Sequence, residues 1–168
     1  MEDATPEPAA VGVPDLLLLC RLLNAAGVQY VIYGGMACLI HGFERTTKDI
    51  DVCIGEDPEN IRRALDALSR WGDGWARELR VEDVLENVVV RIFDQFVLDV
   101  ASKVWKLDWQ EAYARRRLVQ IEGTLVPVLC RQDLIASKMT YRDRDAIDVQ
   151  VLRGLSNDEP GASADERL

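Results

Sequence analysis

The chain has a single histidine and no uninterrupted apolar run longer than five residues, Leu16 to Cys20 being one. The first shortage excludes a metal centre built on several imidazoles, and a Ser-His catalytic pair would rest wholly on His41. The second falls far short of the roughly 20 residues that cross a bilayer as a helix, so membrane insertion is not expected. Residues 1–13 carry Glu2, Asp3 and Glu7 and no Lys or Arg, so a secretory leader is not expected either. The four cysteines stand at 20, 38, 53 and 130 among apolar neighbours. They lack the short spacing of a zinc knuckle and read as small buried hydrophobes of a reducing, cytoplasmic compartment, with no zinc.

What is present is ordinary globular material. Of 168 residues, 48% are hydrophobic and 29% charged, enough for one domain. The net charge of −9 is uneven: residues 1–13 and 156–168 carry −3 each. Both segments are rich in Ala, Pro, Gly and Ser and read as disordered acidic tails around a domain at 14–155. That core holds 19 Lys/Arg against 22 Asp/Glu, too balanced for a bulk basic field toward nucleic acid.

Periodicity places the elements. Pro14 to Ala26 reads as a helix stopped by Gly27, and Val28 to Tyr33 as a strand broken by Gly34-Gly35. A short helix at Met36 to His41 precedes a second strand at Thr46 to Gly55. Asp57 as N-cap and Pro58 at N1 open a helix with a stripe of Ile61, Ala64, Leu65 and Leu68. Val88 to Phe93 and Phe96 to Val100 read as a hairpin across Asp94-Gln95. Trp105 to Arg117 reads as a helix, Leu125 to Val128 as a short strand, and Arg131 to Leu155 as a C-terminal segment of one or two helices. The fold class is therefore α/β (α+β), a mixed sheet of about four to five strands flanked by helices.

The stretch from Gly34 to Val52 carries chemistry. On a strand, Asp49 and Asp51 project from one face about 6–7 Å apart, while Ile50 and Val52 point into apolar packing. Parallel carboxylates repel unless a cation lies between them, and a hard divalent ion is the natural one. Gly34-Gly35, at a strand-to-helix turn and without Cβ atoms, allows a phosphate close to the backbone. Asp99 is a lone acid inside an apolar strand, which is costly unless it faces water or a cation. Beside Asp49 and Asp51 it would complete a site for two Mg2+ ions, Mn2+ being the alternative. Arg91, on the hairpin partner, could instead satisfy Asp99.

Gly34-Gly35, then Asp49-Ile50-Asp51-Val52, then Leu98-Asp99-Val100 resembles the signature of the DNA polymerase β-like nucleotidyltransferase superfamily. The stretch Gly34-Gly35-Met36-Ala37 through Arg45, Thr47, Asp49 and Asp51 is similar to small bacterial AbiEii-type and minimal nucleotidyltransferases. The segment from Asp133 through Lys138, Arg142, Asp145 and Asp148 is similar to the helices that come next in those proteins. The resemblance spans about 15–155. It implies Asp49, Asp51 and Asp99 as metal-binding and catalytic residues, and Gly34 and Gly35 as backbone contacts to phosphates. Arg45 and Thr47, alternating with the acids, would share their strand face and contact phosphate or carboxylate in nucleotide binding, although Arg45 could equally form a structural salt bridge. Lys138 would contact the triphosphate, the alternative being a snorkelling surface lysine. Arg142, Asp145 and Asp148 read as an intrahelical charge ladder, and Arg115-Arg116-Arg117 as a solvated helix end.

The implied activity is transfer of a nucleoside monophosphate from a nucleoside triphosphate to a hydroxyl on a partner protein, a tRNA end or a small molecule. A toxin–antitoxin role is implied by the same resemblance. The alternative is a catalytically silent nucleotide-binding or interaction module on the same fold.

Overall fold

Pro14 suits the first turn of α1 (Val13–Ala25), where the Asp15 carboxylate accepts from the Gly12 N–H at 2.9 Å. The computed structural model describes residues 9–140 and 142–155. Most of the two expected acidic tails lies outside those residues. Within the leader, however, Val11 is buried and bridges Thr47 in antiparallel fashion.

After α1 come β1 (Val31–Tyr33), α2 (Gly34–Ile40), β2 (Asp49–Cys53) and α3 (Pro58–Leu68). A 3-10 turn (Trp75–Glu78) and α4 (Val81–Glu86) lead to the hairpin β3 (Val90–Phe93) and β4 (Val97–Ala101). The chain closes through α5 (Trp109–Ala114), β5 (Arg117–Ile121), β6 (Thr124–Val128), α6 (Arg131–Ser137) and α7 (Asp143–Gly154). The Asp57 carboxylate caps α3 by accepting from the Glu59 N–H, as its sequence position predicts.

Among the described residues, six strands form one mixed sheet ordered β3-β4-β2-β1-β6-β5, one more strand than the four to five expected. The extra one is β5. Arg117-Leu-Val-Gln-Ile alternates as a strand, and a tight turn with Glu122 and Gly123 at positive φ folds it onto β6. The helix expected at 105–117 shrinks accordingly to α5, and the C-terminal segment divides into two helices.

Strand register sets the position of every acid. β2 and β4 run parallel with Asp51 opposite Asp99, β1 places Tyr33 opposite Asp51, and β3 places Arg91 opposite Asp99. Ile50, Val52, Leu98 and Val100, the alternate residues, are buried in the core with Leu16, Leu23, Ile61 and Leu68. Buried Asn60 ties α3 to this sheet, accepting from the Gln29 N–H and donating to the Gln29 and Ile54 carbonyls. One face of the β2–β4 pair is thus apolar and fixed. The other carries the acids.

Candidate active site

Strand alternation brings Asp49, Asp51 and Asp99 together, each offering an oxygen within 4.8 Å of the others. Among the described residues they are the one such cluster of three. They form the floor of a cleft of about 870 Å³. Its walls carry Arg45, Lys48, Arg91, Lys138, Arg142 and Arg144, and its rim exposes Val88 and Trp105.

The acids are under electrostatic load. Burial first, and then the charges of Asp49 and Asp99, push the Asp51 carboxyl up to about 7. Burial and Asp99 raise Asp49 as well, against the pull of Arg91. Arg91 answers part of this load. Its Nε donates to Asp99 Oδ1 at 2.8 Å and its Nη2 to Asp99 Oδ2 at 2.7 Å, and the same Nη2 donates to Asp49 Oδ2 at 3.0 Å. In consequence the Arg91 guanidinium is held above its ordinary pKa, chiefly by the Asp99 hydrogen bonds.

Glycine is required beside the triad. Gly34 has φ +67°, and a Cβ there would overlap the Asp51 carboxylate. A Cβ on Gly35 would lie 2.8 Å from Thr47 Oγ1. The Gly-Gly pair thus lets the β1–α2 turn lie directly on Asp51 and Thr47.

Not every residue singled out in the sequence takes the expected position. β2 begins at Asp49, so Arg45 and Thr47 precede the strand, while both line the same cleft as the acids. Thr47 Oγ1 donates to the Asp49 carbonyl at 3.0 Å and locks the strand's entry. Arg45 Nη1 donates to Asp148 Oδ2 at 2.5 Å, which makes it the salt-bridge residue that its sequence position allows. Lys138 does not snorkel: it is 8% exposed, with its Nζ 2.8 Å from the same Asp148 oxygen. Asp148 is therefore no rung of a helical ladder, because it binds two cations from other elements. Asp145 accepts from Thr140 Oγ1 and pairs with Arg142 at 3.3 Å.

Outside the cleft, Arg115 pairs with Asp133 at 2.9 Å and Arg116 stacks 3.9 Å over the Tyr113 ring, so this run is built into the fold. His41 is buried, and its Nε2–H donates to the Leu129 carbonyl at 2.8 Å. Cys20, Cys38, Cys53 and Cys130 are free thiols, the first three buried.

Sequence reasoning misses two participants. Arg91 reads there only as a structural partner; a two-residue Asp94-Gln95 turn would pair it with Leu98, and it stands opposite Asp99 because the loop takes in a third residue, Phe96. Asp148 leaves no local signal, because its partner Arg45 lies 103 residues away.

A family profile described as a nucleotidyltransferase of unknown function (DUF6036) matches residues 19–156. The chain belongs to that family. Its fold is the DNA polymerase β-like nucleotidyltransferase fold, and solved structures share it at low identity. The lincosamide antibiotic adenylyltransferase LnuA, lincomycin-bound, is 13% identical with a TM-score of 0.59 over 88% of this chain and 100% of that one. A putative nucleotidyltransferase (TM1012) from Thermotoga maritima is 16% identical, with a TM-score of 0.54 over 85% and 93%. An antigenic nucleotidyltransferase-like protein from Paracoccidioides brasiliensis is 17% identical, with a TM-score of 0.53 over 86% and 78%. No curated protein matches the chain significantly.

The nucleotidyltransferase triad suits a divalent cation. Three carboxylates give hard oxygen donors at close range, and two of them sit above their ordinary pKa, through burial first and then through the neighbouring carboxylate charge. A nucleoside triphosphate is the substrate that the family implies. Among the described residues, no helix is long and apolar enough to cross a membrane.

Proposed function

We propose that this enzyme is Mg2+-dependent, with Mn2+ as the alternative ion, and transfers a nucleoside monophosphate from a nucleoside triphosphate to a hydroxyl of a small molecule. The convergence of Asp49, Asp51 and Asp99 on the floor of a cation-walled cleft carries this reading. Those three residues would hold the metal, two ions being the number such triads accommodate. The chemistry supplied when metal is bound is charge neutralisation at the triphosphate and at the attacking oxygen.

The chain's own residues then have defined tasks. Gly34 and Gly35, which open α2 beside Asp51 and Thr47, would contact phosphate oxygens through their backbone N–H groups. Lys138 and Arg45 face the leaving pyrophosphate, with Arg144 and Lys48 in reach of the same cleft. An Asp99 oxygen accepts the hydroxyl proton as the acceptor oxygen bonds to the α-phosphorus. The bond from that phosphorus to the pyrophosphate oxygen breaks, and pyrophosphate leaves with its electron pair. The remainder of the task is positioning.

A small-molecule acceptor is supported by the likeness to LnuA, described as a lincosamide adenylyltransferase, and by the apolar rim at Val88 and Trp105. The AbiEii-type pattern from Gly34 to Asp51 favours a second reading, with a partner-protein hydroxyl as acceptor in a toxin–antitoxin pair. A thermal-shift series with ATP, CTP, GTP and UTP, each with and without Mg2+, tests the site and names the base. Transfer of label from the α-labelled nucleotide separates the acceptors. Label on a lincosamide or aminoglycoside supports the first reading, and label on protein supports the second. The absence of a Mg2+-dependent shift with any of the four nucleotides would overturn both.

A further inference from the structure

We propose that Arg91 is the resident counter-cation of the metal-free triad and has to leave it before a divalent ion can enter. This rests on the metal-dependent reading of the same site. The guanidinium occupies both oxygens of Asp99 and one of Asp49, half of the oxygens that the triad offers. A divalent ion drawing on all three carboxylates would compete for those oxygens and lie against a fixed positive charge. One of the two cations must yield, and the geometry shows which. Asp99 is only 7% exposed and locked in β4 between two strands, whereas the Arg91 side chain is 48% exposed on the sheet's edge strand. A flexible arginine there can swing into water at little cost.

The exchange has a consequence for the reaction. While Arg91 holds both Asp99 oxygens, a donated N–H occupies one lone pair of each, so neither Asp99 oxygen is fully free for the proton of an acceptor hydroxyl. Departure of the guanidinium frees them. Loading of the site and arming of Asp99 are then a single event, and the metal-free enzyme is held inactive by its own side chain. Arg91 is a positioning residue in this scheme, acting through Asp99.

The test is divalent-ion affinity, read without turnover. Free Mn2+ is titrated by electron paramagnetic resonance at pH 8, with wild type and Arg91→Met. Competition predicts Mn2+ binding at least about ten-fold tighter in the variant, the factor for one charge-assisted hydrogen bond being a floor for the three that the ion no longer has to displace. Equal or weaker binding would mean that Arg91 buttresses the metal ligands, and the proposal would fall. A second measurement uses wild type alone and so does not depend on the variant folding. The 15N–H signal of Arg91 Nε is followed during a Mg2+ titration. It should move toward the position of a solvated guanidinium as the Asp49 and Asp51 amides shift. An Nε signal that stays in place while those amides move would also overturn the proposal. If Mn2+ binds neither protein, the metal-dependent function itself is wrong, an outcome distinct from unchanged affinity.

Discussion

Asp51 and Asp148 line the same cleft, one from β2 and one from α7, yet one carboxyl is pushed up to about 7 while the other is held below its ordinary range. Burial acts on both in the same direction. Around Asp51 it is reinforced by Asp49 and Asp99, with Lys138 and Arg91 too weak to reverse it. Around Asp148 it is outweighed by Lys138 and Arg45, which share one carboxylate oxygen. The acidic floor therefore stores unfavourable charge that a ligand can relieve. On the wall two cations hold one carboxylate, so Asp148 is satisfied within the fold while a net positive charge is left toward the cleft. Burial alone does not tell a functional aspartate from a structural one, whereas the sign of the surrounding charge does.

Substitutions test this contrast. The largest effect is expected from Asp49→Asn with Asp51→Asn. Nucleotide transfer should fall by on the order of 10³-fold, and Mg2+-dependent thermal shifts should vanish. The melting temperature of the metal-free variant should hold or rise, since repulsion is removed. A large loss of stability would show that the floor is structural after all.

Gly34→Ala comes next. It forces a side chain into left-handed backbone geometry and against the Asp51 carboxylate. The backbone strain alone costs about 1–2 kcal/mol, and activity should fall about a hundred-fold through the displaced Asp51. Denaturant unfolding and turnover measure the two parts separately.

On the wall, Asp148→Asn should do the opposite of the floor variant. It leaves buried Lys138 without its ion pair and should cost about 3 kcal/mol. At about 2–4 °C per kcal/mol for a chain of this size, the loss is readily seen in a melting curve. The Michaelis constant for nucleotide should rise more than the turnover number falls, because Arg45 and Lys138 are no longer held.

The smallest effect is the pH dependence of the metal-free protein. The raised folded-state pKa of Asp51 means that its destabilising charge is absent below the unfolded value of 3.8 and fully present above about 7. The melting temperature should therefore rise by a few degrees as pH falls from 8 toward 5. Asp148 has the reverse sign. Its depressed pKa gives stability that is present above 3.8 and lost as pH falls through the folded value. Melting curves between pH 3 and 8 in chelator should show a neutral limb flattened by Asp51→Asn and an acid limb flattened by Asp148→Asn.

The floor is legible in the sequence because strand alternation is local. Asp49 and Asp51 are two residues apart, whereas Arg91 meets Asp99 only because the β3–β4 loop holds three residues, 94–96, and not the two that the sequence suggests. The pairing of β2 with β4 is an assumption at the level of sequence, which the parallel register supports. The wall is far less legible. Lys138 stands out by resemblance alone, and alternation puts Arg45 on a strand that in fact starts four residues later. Asp148 looks like one rung of an intrahelical ladder because contacts between distant segments leave no periodicity. β5 is hidden for another reason. Arg115 and Arg116 end a short helix and Arg117 opens a strand at once, leaving no breaker residue to mark the change.

The Arg45–Asp148 bridge also bears on the order in which the cleft is made. The acids and the glycine turn are all in place by residue 101, whereas Lys138 and Asp148 belong to the last helical segments. A chain synthesised only as far as α5 holds all three acids with Arg45, Lys48 and Arg91, but lacks Lys138, Arg142, Arg144 and the Asp148 that anchors Arg45. Arrival of α7 is then the step that fixes Arg45 and completes the cationic side of the cleft.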